Sequence, residues 1–273
     1  MPLSSKLNRL RNTGQTIGLV PTMGALHDGH STLLHACKQE TDVSVCSIFV
    51  NPTQFNNPVD FKHYPSTIEQ DIECLLAAEC DLLLLPDKKE MYGTNTVLKQ
   101  YDLGYLETVL EGKYRPGHFQ GVCQAVDRLL DIVSPHILYM GQKDYQQCLV
   151  VKKLLTLTQR ENIVIRMVPT MREGSGLAMS SRNLRLTEEQ RMKAIAIHQT
   201  LLDLKQNIGQ KPIAELKRQS MDILKSSGFD VDYVEIADAS DLRPVTEVGT
   251  TKTVALIAAT LGGIRLIDNM LLN

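Results

Sequence analysis

Hydrophobic positions along the chain fall into two regimes. Up to about residue 170, short apolar runs alternate with longer stretches whose apolar residues recur at helical spacing. The runs Thr16–Val20, Val43–Val50 (VSVCSIFV), Asp81–Leu85 (DLLLL), Ile137–Met140 and Ile163–Val168 predict five strands. Runs such as VSVCSIFV, apolar almost throughout rather than at alternate positions, fit a parallel sheet covered on both faces. Helices are predicted over 31–41, from Pro65 onward with Ile68, Ile72, Leu75 and Leu76 on the apolar side, over Val122–Val133, and from the turn at Gly141 to about Gln159. Residues 1–16 are polar and read as a short helix and a loop, whereas 91–106 gives no orderly pattern. This alternation predicts an α/β fold, a doubly wound, mostly parallel, Rossmann-like sheet.

The segment 172–183 (REGSGLAMSSRN) breaks the rhythm, and Gly174 and Gly176 predict flexibility there. Beyond it, Thr187 caps a predicted helix Glu188–Asn207, a second helix spans Ile213–Ser226, and three strands follow near Val231–Ala237, Thr253–Leu261 and Ile264–Ile267. Two helices followed by neighbouring strands predict a smaller α+β domain. The expected division is therefore 1–172 and 173–273.

Composition narrows the partners. There are 29 Lys+Arg against 31 Asp+Glu, a net charge of −2. That argues against a nucleic-acid or membrane-surface binder, though not against a local cationic pocket. No apolar run is long enough to span a bilayer, and no leader pattern is present. The six cysteines form no C-x-x-C pair and mostly lie in apolar runs, which predicts reduced thiols and a cytoplasmic setting.

Candidate chemistry gathers where predicted strands meet Gly-containing turns and helix starts. The first such place is Pro21-Thr22-Met23-Gly24-Ala25-Leu26-His27-Asp28-Gly29-His30. A helix start leaves N–H groups unpaired and favours an anion, and two His three residues apart can flank it. A packed turn with a capping His is the alternative reading of the same residues. The second place is Gly141-Gln142-Lys143-Asp144, where a Lys sits at a helix start despite the opposing dipole, which points to a bound anion. Ser180, Ser181 and Arg182 add two hydroxyls and a forked cation. Neither G-x-G-x-x-G nor G-x4-G-K-[ST] is present, since Gly112-Lys113 is followed by Tyr114. Donors and cations without a protein nucleophile suit nucleotidyl transfer, in which the substrate itself attacks phosphorus. A zinc site at His27 and His30 lacks a third ligand placed by the sequence.

His27-Asp28-Gly29-His30 resembles the HxGH signature of the nucleotidylyltransferase and class I aminoacyl-tRNA synthetase superfamily, and Met179-Ser180-Ser181-Arg182 stands where its KMSKS-type loop would be. More closely, the chain resembles the pantothenate synthetase (pantoate–β-alanine ligase) family along nearly its whole length. The carrying segments are PTMGALHDGH (21–30), NPTQF (51–55), YP (64–65), EGKYRPGHFQGV (111–122), GQKDYQQ (141–147), GLAMSSRN (176–183) and RLIDN (265–269). Two departures are Gln142, where many members have Glu, and Asn56-Asn57 in place of a more usual Gly.

The resemblance implies ATP-dependent ligation of pantoate and β-alanine through pantoyl adenylate, with Mg²⁺ accompanying the triphosphate, small-molecule partners only, and a homodimer. It implies that Met23, Gly24, Ala25, Leu26, His27, Asp28, Gly29 and His30 line ATP, with His30 nearest the α/β-phosphate bridge. Gly141, Gln142, Lys143 and Asp144 would bind ATP, with Lys143 on phosphate and Asp144 on ribose. Met171 would give backbone contacts to adenine, Met179 would line ATP, and Ser180, Ser181 and Arg182 would close on the β/γ-phosphates. Gln54 and Gln147 would hold pantoate, Gln54 also meeting β-alanine, and Asp71 would be an indirect Mg²⁺ ligand. The neutral amides of Gln54 and Gln147 suit a hydroxy acid better than the phosphate monoester that other HxGH adenylyltransferases take. The length and charge leave no room for a basic RNA domain.

Overall fold

A computed structural model describes residues 3–56, 58–93, 98–247, 249 and 251–273. Asn57, and 94–97 within the irregular 91–106 stretch, lie outside the described residues. The chain divides into two compact units, Met1–Gly141 with Val150–Pro169, and Gln142–Leu149 with Thr170–Asn273.

In chain order the first unit carries α1 (Leu3–Asn12), β1 (Ile17–Thr22), α2 (Asp28–Glu40), β2 (Val43–Ile48), α3 (Pro58–Lys62), α4 (Ile68–Ala77), β3 (Leu82–Leu84), α5 (Lys88–Tyr92), α6 (Leu110–Tyr114), α7 (His118–Val133) and β4 (Ile137–Gly141). Next come α8 (Tyr145–Leu157), within which the boundary between units falls, and β5 (Val164–Val168). The sheet order is β3-β2-β1-β4-β5 and every pairing is parallel, with Leu19 opposite Val45 and Leu138, and Met140 opposite Met167. The chain thus starts at the centre, builds to one edge, then returns to build the other. In such sheets, ligands sit just beyond strand carboxyl ends. Here residues 23–27 leave the end of β1 and residues 49–55 leave that of β2.

Burial explains the unbroken apolar strands. All six residues of β2 are buried, including Ser44 and Ser47. Ser44 is admitted because its hydroxyl donates to Asp81 at 2.7 Å and accepts from the Asp81 N–H at 3.0 Å. Leu33, Leu34 and Cys37 of α2 recur at one-and-four spacing and enter the same core as Val20, Cys46 and Ile48. The short helices α3, α5 and α6 were not foreseen, because five residues give too little periodicity to read. Helix α7 begins at His118, four residues before the predicted start, after Gly117 turns the chain with φ 80°.

The second unit holds α9 (Glu188–Asn207), α10 (Ile213–Ser226), β6 (Asp230–Asp238), β7 (Thr253–Leu261) and β8 (Ile264–Leu271), the strands forming an antiparallel sheet in the order β6-β7-β8. Thr187 and Gln190 close a reciprocal capping box at the start of α9, with bonds of 3.2 and 3.0 Å. Leu201, Leu204, Leu216 and Leu224 of the helices pack with Ile236, Ile257 and Leu266 of the strands. The last strand runs to Leu271 rather than stopping at Ile267, since the polar Asp268 and Asn269 are buried within it. The glycine-rich stretch also differs from expectation. Arg172 and Ala178 form an antiparallel bridge, Met179 N–H donates to Met171 at 3.0 Å, and a 3₁₀ turn covers Ser181–Arg185.

Candidate active site

The segment after β1 is a tight turn delivering the chain into α2. Gly24 has φ +80°, and Ala25 also lies in the left-handed region at φ 49°. The turn is held by Asp71 of α4, which is buried. Its Oδ2 accepts from Ala25 N–H at 3.0 Å, and its Oδ1 accepts from Leu26 N–H at 2.8 Å and from the Thr67 hydroxyl at 3.1 Å. A Cβ on Gly24 would come within 2.9 Å of the same Oδ2, so the turn needs glycine for space as well as for φ.

The two histidines close the helix start. His27 is the N-cap, and its Nδ1 accepts from Gly29 N–H at 3.1 Å. His30 reaches back, its Nδ1 accepting from His27 N–H at 3.2 Å. The rings lie 4.1 Å apart between centroids at 42°. An Nδ1 that accepts is unprotonated, so the neutral ring carries its hydrogen on Nε2. Each imidazole is therefore oriented by the backbone through its Nδ1. The capping reading of this motif is thus observed directly.

Past β2, Asn51 is buried and has every group engaged. Its Oδ1 accepts from Thr53 N–H, the Thr53 hydroxyl and the Tyr92 hydroxyl, at 3.2, 2.9 and 2.7 Å. Its amide donates to Gly121 O at 2.9 Å and to Gln54 Oε1 at 3.1 Å. The last bond fixes which way the Gln54 amide faces and leaves its NH₂ as the outward group, 2.9 Å from Met23 Sδ. A Cβ on Gly121 would fall 2.3 Å from Thr53 O, so α7 packs directly on the backbone of this segment. His118 Nδ1 lies 2.8 Å from Gln54 O and its Nε2 lies 3.0 Å from an Arg115 nitrogen. Arg115 and His118 thus brace the segment from beneath.

In the second unit, Gln142–Asp144 form a 3₁₀ turn leading into α8. Asn269 of β8 donates to both Gln142 O and Lys143 O at 2.8 Å, and accepts from Gln142 Nε2 at 3.3 Å. The next residue back, Asp268, is buried and takes both arms of Arg172 at 2.6 and 3.1 Å, and Arg172 also donates to Gly176 O. One strand end therefore ties down the Lys143 turn and the root of the 172–178 hairpin. Asn183 continues the fastening, donating to Glu173 and Ala178 O at 2.9 and 3.0 Å, while Arg191 holds Glu173 at 2.8 Å. Ser180 caps the following turn, its hydroxyl accepting from Arg182 N–H at 3.3 Å. Lys143, Ser180, Arg182, His198, Arg265 and Asp268 line one cleft in this unit. Burial and then Arg172 hold the His198 ring below its ordinary pKa of 6.5, with Asp268 opposing, which favours the neutral imidazole.

Within the first unit, then, Met23, His27, His30 and Gln54 lie on the segments leaving β1 and β2. Within the second, Lys143, Ser180 and Arg182 share a cleft. Ser181 is buried, Met179 half-buried and Met171 exposed, while Gln147 is half-buried in the first turn of α8. Neither His198 nor Asn269 is signalled as a site residue by the sequence, and Asn51 and His118 have no settled role in it. The one available signal was RLIDN, a polar pair inside an otherwise apolar strand. Asp71 is 1% exposed, with both oxygens engaged by N–H and O–H donors, which does not suit a hydrated cation.

The family described as pantoate-beta-alanine ligase matches residues 2–271. The pantothenate synthetase of Fervidobacterium nodosum is 41% identical over 266 residues, covering 96% of this chain and 93% of that one. That of Phocaeicola vulgatus is 40% identical over 270 residues, with 98% and 95% covered. Among solved structures, the pantothenate synthetase of Thermus thermophilus superposes with a TM-score of 0.90 at 37% identity, covering 97% of this chain and 96% of that one. The Francisella tularensis pantoate-beta-alanine ligase, solved with beta-gamma ATP and beta-alanine, gives 0.80 at 36% identity, with 99% and 96% covered.

Proposed function

The chain belongs to the pantoate-beta-alanine ligase family, and from that premise we propose how its residues divide the work. The activity is ATP-dependent synthesis of pantothenate from pantoate and β-alanine. The reaction runs in two steps. A pantoate carboxylate oxygen attacks the α-phosphorus of ATP, the bond to the β-phosphate bridge oxygen breaks, and pyrophosphate leaves. The β-alanine amine then attacks the acyl carbon of pantoyl adenylate, loses a proton and expels AMP.

His30 donates from Nε2 to the charge that grows on the leaving pyrophosphate, and His27 holds phosphate beside it. Both rings are already oriented through Nδ1, so little reorganisation is needed as charge develops. Lys143 neutralises phosphate charge and Asp144 takes ribose. Gly141, Gln142 and the backbone from Met23 to Gly29, with Asp28, line the nucleotide. Met171 contacts adenine through its backbone, Met179 lines the nucleotide, and Ser180, Ser181 and Arg182 serve the β/γ-phosphates. Gln54 offers its amide NH₂ to pantoate, with Asn51 fixing the flip, and Gln147 is the second amide. We assign 1–172 to binding ATP and pantoate and 173–273 to supplying the Ser-Ser-Arg turn. Among the described residues no three His, Cys, Asp or Glu side chains gather as metal ligands. Mg²⁺ would accompany the triphosphate and offset its charge.

The observation that carries the reading is the pair of Nδ1-accepting imidazoles at the start of α2. Its test is exchange of labelled pyrophosphate into ATP with pantoate present and β-alanine absent. Wild type should exchange, and His30→Ala should slow exchange by roughly 10²–10³-fold, the range for one lost donor to a developing charge. ATP affinity should stay within a few-fold. Wild type that exchanges only after β-alanine is added overturns the two-step order, and near-normal exchange by His30→Ala removes His30 from the chemistry. We further place the enzyme in the cytoplasm, in keeping with six free cysteines. It works there as a homodimer. Light scattering at micromolar concentration should give twice the 30.5 kDa chain mass, and a single 30.5 kDa species refutes the dimer.

A further inference from the structure

We infer that Asp71 is a positioning residue for the pyrophosphate-releasing step, holding the turn that aims His27 and His30, and that it is not a ligand of the nucleotide's Mg²⁺. The inference rests on the roles given to the two histidines above.

Two consecutive N–H groups, those of Ala25 and Leu26, converge on one carboxylate at 3.0 and 2.8 Å. Such convergence occurs where successive amides form a concave nest, and an anion is what it accommodates. In this turn the protein supplies that anion itself. Ala25 sits at φ 49°, a conformation an L-residue with a Cβ does not hold without support. The Thr67 hydroxyl donates to Oδ1 at 3.1 Å and fixes the carboxylate rotamer from one turn of α4 away.

The consequence runs along the chain. With Ala25 and Leu26 pinned, His27 N–H is placed to donate to His30 Nδ1, and that bond orients the His30 ring. Asp71 is thus linked to the His30 donor through a short, rigid path of backbone and two hydrogen bonds. Mg²⁺ asks for something else: a near-octahedral shell that usually keeps several waters. A carboxylate 1% exposed, with three donors on its two oxygens, offers no space for that shell.

Asp71→Asn keeps the size and turns one acceptor into a donor facing the turn's amides. In pyrophosphate exchange its kcat should fall 10–100-fold, with the KM for ATP within threefold of wild type. A misplacement of about 1 Å costs up to this much. At saturating ATP the Mg²⁺ concentration for half-maximal rate should not move. A tenfold rise in that concentration, or recovery of rate at high Mg²⁺, overturns the inference. Combining the change with His30→Ala gives the sharper answer. If Asp71 acts through the histidine, the second substitution should slow His30→Ala less than threefold further, whereas a full additional loss would show an independent role. A readout without substrate is hydrogen exchange at Ala25 and Leu26 in the unliganded protein. It should accelerate in Asp71→Asn while the amides of β1 and β2 stay protected, and unchanged exchange there overturns the inference. Should Asp71→Asn not fold, Thr67→Val decides: a 3–10-fold loss of kcat with unchanged Mg²⁺ dependence is expected, and no loss refutes. Wild type that fails to exchange pyrophosphate defeats the functional reading instead, and the amide measurement still reports on the turn.

Discussion

Asn269 offers the cleanest perturbation of the second unit, because it is 2% exposed and reaches the Lys143 turn through two bonds of equal length. Replacing it with Ala removes both 2.8 Å donors and the acceptor at 3.3 Å. Each lost hydrogen bond is worth about 0.5–1.5 kcal/mol. Water entering the vacated volume recovers part of that, so the expected net loss is about 1–3 kcal/mol. Asn269→Asp keeps the shape but aims a carboxylate at two carbonyl oxygens. It should therefore be the more destabilising change at neutral pH, since an unpaired buried charge costs more than a missing bond. Mild acid should partly rescue it, because the protonated acid regains one O–H donor. Denaturant midpoints of both variants, read at neutral pH and near pH 4, check this, with pyrophosphate exchange measured alongside. Exchange should fall about 10–100-fold in Asn269→Ala through displacement of Lys143. If Asn269→Asp proves as stable as wild type at neutral pH, or if Asn269→Ala is the worse of the two, donation to the turn is not what Asn269 does.

Arg182→Ala should lower kcat/KM for ATP roughly 10–100-fold while leaving the KM for pantoate within threefold, as expected for one charge-assisted hydrogen bond of about 1.5–3 kcal/mol; steady-state kinetics with each substrate varied decides it. His198 predicts a pH effect on stability. Its folded pKa lies below 6.5, so the unfolded chain takes up a proton first, and stability is full above 6.5 and declines as pH falls below it. His198→Gln should remove that decline, seen as denaturant midpoints that no longer separate between about pH 5 and pH 7. For Asp127, burial works to raise the pKa, but hydrogen bonds from Arg160, Lys99 and Tyr101 outweigh it and leave the carboxylate below 3.8. Its contribution is present above 3.8 and lost as pH falls through the folded value, so Asp127→Ala should unfold about 2–4 kcal/mol more easily at pH 7 and show a smaller acid-induced loss than wild type.

The parts of the fold readable from sequence are those whose signals are local. Thr187 and the periodicity after it place Glu188–Asn207 to the residue, and Thr253–Leu261 is apolar at nearly every position because both faces of β7 are covered. The strand run Val43–Val50 is likewise visible, although its last two residues belong to the loop that presents Asn51. The HxGH turn is readable for the same local reason: strand, glycine and helix cap follow one another in a few residues. What escapes is set by distance along the chain. Asp71 lies 46 residues from Ala25, and Asn269 lies 126 from Lys143. No spacing rule links such pairs. The hairpin at 172–178 escapes because its glycines signal freedom, while the Arg172–Asp268 pair and the Met171–Met179 backbone bond that restrain it join the segment to residues far off or on its flanks.

The residues that pin these turns follow one chemical rule. Each of the three turns is pinned by a buried side chain whose polarity is the complement of what the backbone presents there. The turn after β1 offers two N–H groups, and the partner is a carboxylate, Asp71. The turn after β4 offers two carbonyls, and the partner is an amide NH₂, that of Asn269. The segment after β2 offers an N–H and lies against a carbonyl of α7, and the partner is Asn51, which can serve both. Exchanging any of these three for its near-isostere reverses the complement while preserving volume. Asp71→Asn, Asn269→Asp and Asn51→Asp should each cost more than the size change alone would suggest. The residues proposed to meet ATP lie in the turn motifs, whereas Asp71 and Asn269, which hold two of those turns, lie far from them in sequence. A chain carrying HxGH and Gly-Gln-Lys-Asp but lacking these partners would look competent in sequence and bind its nucleotide with misaligned donors.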